Sequence, residues 1–139
     1  MALVLKSLGC GHALVVHGED GLDEVTNTAK THVCELKDGR ISSYAISPEN
    51  FGLSRASLDN LKGGTAEQNA ARLRSILTGA SGPQRDIVLM NAAAALLAGD
   101  RVASLGPGID LAREAIDSGR ALAKLEQLIK LTRSFAQSA

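Results

Sequence analysis

Aromatic side chains are nearly missing from this chain. Its 139 residues include no tryptophan, one tyrosine (Tyr44) and two phenylalanines (Phe51 and Phe135), 2% of the whole. The core must then be assembled from Ala, Leu, Ile and Val; apolar types reach 45%, enough to build one. An excess of one charge is also missing, because fifteen basic and fifteen acidic residues cancel. With no Lys/Arg patch interleaved with aromatics, nucleic acid is not an expected partner. Cysteine is scarce: Cys10 and Cys34 are too few and too far apart for a zinc knuckle or a redox CxxC. They read as reduced thiols in a cytoplasmic protein. No apolar run is long enough to span a membrane. MALVLKSLGCGH at the start lacks the charged opening, long apolar stretch and cleavage site of a signal peptide. The length suits one domain or part of one.

The chain changes character along its length. Residues 2–9, ALVLKSLG, read as a short helix or the last turns of a longer one. HALVV (12–16) reads as a buried strand without alternation, as in a parallel sheet. THVCELKDGRISSYAI (31–46) is a hairpin signal, with Asp38-Gly39 the favoured pair for a type I′ turn. Residues 47–64 are loop-like. Helical signals then follow without a break. Thr65 to Gln68 form a capping box ahead of Ala66, Ala70, Leu73, Ile76 and Leu77. Pro83 opens a second helix. From Ile87 to Ala98 every residue but Asn91 is apolar, which predicts a helix buried all round. Leu105, Ile109, Ala112 and Ile116 mark a third stripe. Ala121, Leu122, Leu125, Leu128 and Ile129 mark a fourth.

Between the strand and the hairpin lies HGEDGLDEVT (17–26), with Glu19, Asp20, Asp23 and Glu24 in a few positions. Open α/β sheets bind ligands at the carboxyl ends of their strands. Carboxylates there have the hardness Mg²⁺ prefers; that ion keeps several waters and uses one or two carboxylates plus substrate phosphates. Asp23 and Glu24 could reach one metal together, or two metals a few ångströms apart. A solvated acidic turn explains the same letters, and spacing leaves both readings open.

Several stretches together resemble the anthranilate phosphoribosyltransferases: LVVHGEDGLDEVT with the EL-KDG hairpin, FGLSRASLDNLKGGTAEQNAARLRSIL, RDIVLMNAAAALLAG and LAREAIDSGRALAKLEQLIKLT. The similarity runs through essentially the whole chain and keeps the order of motifs. It implies an α/β fold, a fragment of a phosphoribosyltransferase/nucleoside phosphorylase-type catalytic domain. In that fragment a short strand and a β-hairpin pack with four or five helices. It implies that Asp23 and Glu24, the Asp-Glu of the GLDE motif, hold Mg²⁺ near phosphoribosyl pyrophosphate. The family moves the phosphoribosyl group to the amine of anthranilate, in tryptophan biosynthesis, and releases pyrophosphate. A homo-oligomer is implied as well, with helix 65–78 near the dimer contact and packed on an N-terminal helical domain.

The departures matter equally. Family members carry a GTGGD phosphate loop and a KHGN segment ahead of GLDE, and this sequence has neither. Residues 1–139 are therefore expected to be the C-terminal part of the catalytic α/β domain. No catalytic or substrate-binding residue is identified in it, and the isolated chain is expected to be inactive. Two rivals remain: a pyrimidine nucleoside phosphorylase relative, whose motifs are not found here, and a non-catalytic helical interaction module derived from such an enzyme. Among single residues, His12 and His17 bracket the strand, but no Cys or His nearby completes a zinc set; backbone partners are expected for them. Cys34 lacks a His–Asp setting. Ser42, Ser43 and Ser54 lack a GxSxG-type setting. Asn91 is expected to bond backbone carbonyls, and Arg55 either to snorkel or to pair with a carboxylate.

Overall fold

The computed structural model describes residues 1–136. A short helix α1 (Ala2–Ser7) leads into a three-stranded meander, β1 (His12–Gly18), β2 (Thr31–Lys37) and β3 (Arg40–Ile46). Two 3₁₀ turns, Pro48–Phe51 and Leu58–Leu61, carry the chain to four helices: α2 (Ala66–Leu77), α3 (Pro83–Ala98), α4 (Leu105–Asp117) and α5 (Arg120–Ala136). This is the α/β architecture expected, with strand and hairpin joined in one sheet.

The hairpin forms as its turn dictates. Asp38 and Gly39 both have positive φ, 48° and 74°, which is the type I′ signature, and Lys37 pairs with Arg40 across it. The direction of β1 is a correction. It pairs antiparallel with β2, His12 opposite Lys37 and Gly18 opposite Thr31, and is not a parallel strand. It is also half-buried: the residues from His12 to Val16 are each intermediate in exposure. An apolar run reports that both faces are partly covered, here with α1 and α3 in contact, and carries no information about its neighbour's direction. The loop 19–30 is long enough to turn the chain back.

The core lies between the sheet and the α3–α4 pair. Val33 and Ile46 come from the sheet and Val25 from the loop after β1. Leu89, Met90, Ala93 and Leu97 come from α3, and Leu105, Ile109, Ala112 and Ile116 from α4, the stripe expected from its spacing. A Leu or Met buried to this degree contributes about 1.5–3 kcal/mol. Small residues let the two helices approach closely. A methyl built on Gly108 would lie 3.0 Å from Ala93 Cβ and 3.1 Å from its carbonyl oxygen, so any larger residue would push the two helices apart by a few tenths of an ångström. The helix α3 is not buried all round. Ala95 is exposed, and Val88, Ala92 and Leu96 are half-covered, lining an apolar groove of about 450 Å³ with α4. A helix that is apolar on every side needs covering on every side, and this chain covers one.

The outer helices are held more lightly. Thr65 caps α2 as expected, its Oγ1 accepting from Gln68 N at 3.3 Å while Thr65 N donates to Gln68 Oε1 at 2.9 Å. Yet no residue of α2 is buried. The stripe of α5 is half-covered at Ala121, Leu122, Leu125 and Ile129, and Leu128 is 55% exposed. Among the described residues, no helix is long and apolar enough to cross a membrane.

Candidate functional site

The acidic loop resolves into three different fates for its four carboxylates. Asp20 turns inward. Its Oδ1 accepts from Leu22 N at 3.1 Å, and its Oδ2 accepts from Thr26 Oγ1 at 2.6 Å and from Thr28 Oγ1. Burial pushes the Asp20 carboxyl up, but the bonds from Thr26, Thr28 and Leu22 outweigh it, and the group sits below the ordinary range. A β-carbon on Gly18 would fall on the Asp20 carboxylate and come within 3.0 Å of Thr26 Cγ2, so the strand must end on glycine for the acid to enter. Glu19 turns sideways and stands 3.4 Å from His32 on β2.

Asp23 and Glu24 remain, and both are exposed. Neither side chain takes a hydrogen-bond or ion-pair partner among the described residues. The Glu24 carboxyl is raised above its ordinary value, first by burial and then by the charges of Asp23 and Asp20. It borders a cleft of about 300 Å³ whose walls include Leu61, Asn69, Arg72 and Gln84. Among the described residues no three His, Cys, Asp or Glu side chains converge on a metal-sized site. The arrangement thus presents two adjacent hard oxygen donors, with every further ligand left to water or a substrate. That donor set fits a cation of the Mg²⁺ type, which tolerates this, and does not fit an ion needing a closed cage.

The backbone that carries the pair is anchored on α3. Val25 N donates to Asn91 Oδ1 at 2.9 Å, and Asn91 Nδ2 donates to Val25 O at 2.7 Å and to Ile87 O at 3.0 Å. Asn27, fully buried, donates from Nδ2 to Pro83 O at 2.8 Å. The expectation of backbone carbonyl partners for Asn91 is met, and its link to the acidic loop is new.

The other candidates fall away from this loop. His12 bonds side chains, not backbone: Nδ1 lies 2.7 Å from Asp100 Oδ1 and Nε2 3.0 Å from Glu35 Oε1. A ring nitrogen takes whichever acceptor is nearest, and β2 supplies a carboxylate there. His17 does not join it. Arg55 pairs with Glu49, Nε to Oε1 at 2.9 Å, the second of its two expected settings. Glu49 is held down at about 2 by that hydrogen bond first. Both cysteines are free.

Residues 1–122 match the sequence model of the glycosyl transferase family, a/b domain, and the chain belongs to that family. Within it, the chain is similar to the anthranilate phosphoribosyltransferase of Azorhizobium caulinodans, with 54% identity over 136 residues, 98% of this chain and 40% of that protein. Among solved structures, it is similar to the anthranilate phosphoribosyltransferase of Thermus thermophilus, with a TM-score of 0.84 and 42% identity, covering 95% of this chain and 39% of that one. It is also similar to the Saccharomyces cerevisiae enzyme in complex with PRPP and Mg, with a TM-score of 0.79 and 30% identity, covering 88% of this chain and 36% of that one. The chain spans about 40% of the length of the curated relatives it matches.

Proposed function

We propose that this chain is part of an anthranilate phosphoribosyltransferase and supplies its metal-holding loop. The supporting observation is the similarity along 98% of the chain to enzymes of that name, joined to an exposed Asp23–Glu24 pair at the end of β1. In the reaction, the amine nitrogen of anthranilate bonds to the anomeric carbon of the phosphoribosyl donor. The bond from that carbon to the pyrophosphate oxygen breaks, and the amine loses a proton. Mg²⁺ supplies charge neutralisation for the leaving pyrophosphate when bound. The role of Asp23 and Glu24 is to hold that ion in place beside the donor. Glu24 is raised by burial first and then by the charges of Asp23 and Asp20, and repulsion of that kind is what a divalent cation relieves.

Further parts of the reading concern the whole protein. Phosphoribosyl pyrophosphate and anthranilate are the substrates, and tryptophan biosynthesis the purpose. The compartment is the cytoplasm, the assembly is a homodimer, and neither nucleic acid nor membrane is a partner. Residues 1–139 form the C-terminal part of the catalytic α/β domain. The absence of any buried residue on α2 supports the packing of that helix on an N-terminal helical domain.

The test is a complete enzyme carrying these residues, with Asp23→Ala and Glu24→Ala combined. Mg²⁺-dependent turnover should fall by at least about a hundredfold, equivalent to several kcal/mol of lost charge stabilisation, with the fold intact by circular dichroism. Equal rates and an equal Mg²⁺ dependence would remove the pair from the site.

A further inference from the structure

We propose that Asn91 is a positioning residue for the Asp23–Glu24 pair, its side-chain amide setting where the two carboxylates stand by gripping the next peptide along, that of Val25. The inference rests on reading the pair as the Mg²⁺ holder. Three observations carry it. The carboxylates have no side-chain partner of their own among the described residues, so only the backbone locates them. The grip is two-sided: Asn91 accepts from Val25 N at 2.9 Å and donates to Val25 O at 2.7 Å, fixing both position and tilt. And Asn91 is the one polar residue in an otherwise apolar run of α3, where an asparagine is a poorer helix former than its neighbours Ala92 and Ala93.

The chemistry is specific to asparagine. The site asks for one acceptor facing an N–H and two donors facing the carbonyls of Val25 and Ile87, and a primary amide at this length supplies all three. Aspartate would present an oxygen to each carbonyl. Leucine has the shape and none of the polarity. Glutamine has the groups but carries them one methylene further out, which displaces the loop. A purely structural asparagine could satisfy its donor on Ile87 O within the helix and leave Val25 alone.

The experiment uses Mn²⁺ alone as the probe, its free concentration followed by electron paramagnetic resonance during titration of this chain. Val25 amide exchange and urea midpoints are measured alongside. Asn91→Leu should weaken Mn²⁺ about tenfold and speed exchange at Val25. Asn91→Gln should show the same change to a lesser degree, and it carries the test if the leucine variant does not fold. Leu89→Ala is the control: it opens the core two residues away but leaves both bonds to Val25, and should keep Mn²⁺ affinity while lowering the urea midpoint. Asn91 variants that bind Mn²⁺ like wild type, or a Leu89→Ala variant that loses as much, would overturn the proposal. If Asp23→Ala with Glu24→Ala binds Mn²⁺ unchanged, the metal reading itself fails and Asn91 has nothing to position; if that double variant loses binding and the Asn91 variants do not, Asn91 alone is refuted.

Discussion

Four neighbouring acids that look alike as letters do different work as side chains. Asp20 is spent on Thr26 and Thr28, Glu19 faces His32, and among these four only Asp23 and Glu24 have no side-chain partner among the described residues. The pair could be singled out from the GLDE resemblance. The partners of Asp20 could not, because a hydroxyl eight residues on becomes a neighbour only once the loop has closed. The same holds for His12, whose partner Asp100 is 88 residues away. Tyr44 offers a clean check at this scale, being the only tyrosine in a chain without tryptophan. Its hydroxyl is pushed up to about 12, by burial first and then by donating to Glu35 Oε2 at 2.9 Å. The folded state thus holds this proton more tightly than an unfolded chain, whose tyrosine titrates near pH ~10. The stabilisation is full below that pH and is lost as pH rises through about 12. Phenolate absorbance against pH should show a late transition. Glu35→Gln should bring it earlier but not to the ordinary value, since burial persists. A wild-type transition at the ordinary tyrosine value would refute the buried bond.

At the scale of elements, the packing of α3 on α4 turns on one missing methyl group. Gly108 and Gly106 lie in the same first turn of α4, yet a β-carbon on Gly106 would meet nothing within 4 Å and one on Gly108 would meet Ala93. Gly108→Ala should lower stability by about 1–3 kcal/mol through overpacking. Gly106→Ala should be neutral or stabilising by up to about 1 kcal/mol, since alanine is the better helix former. Urea midpoints of both variants decide it, and equal shifts would mean that the helices do not meet at that point. Helix positions were legible because amphipathic spacing, capping boxes and the Pro83 opener are local. The orientation of β1 was not, because a run of Ala, Leu and Val states how much of a strand is covered and not which way its neighbour runs.

At the scale of the whole molecule, coverage and exposure agree. The chain spans about 40% of its relatives. Its surface carries apolar residues at both ends: Leu3 at 71% and Leu8 at 79% exposed on and after α1, Leu131 at 55% and Phe135 at 66% on α5. Patches of this kind drive association. The 139-residue chain should therefore scatter light as more than a monomer at micromolar concentration, and Leu128→Glu with Leu131→Glu should reduce the mass. It should not consume anthranilate fluorescence with phosphoribosyl pyrophosphate and Mg²⁺, because the GTGGD loop that would cradle the donor's phosphates is not in it. A monomeric mass would refute the first expectation, and turnover the second.

The half-open side of α3 has a thermodynamic corollary. One face of that helix holds the acidic loop through Asn91, and another lines the groove with Ala92 and Leu96. A body that seats in the groove and shifts α3 would change the standing of the carboxylates, and linkage then works in both directions. A small apolar guest in the groove and a divalent ion on the loop should alter each other's affinity by the same factor. Two titrations, each ligand in the presence and absence of the other, measure that factor. A value of one would make α3 a rigid post, and any other value would make it a lever.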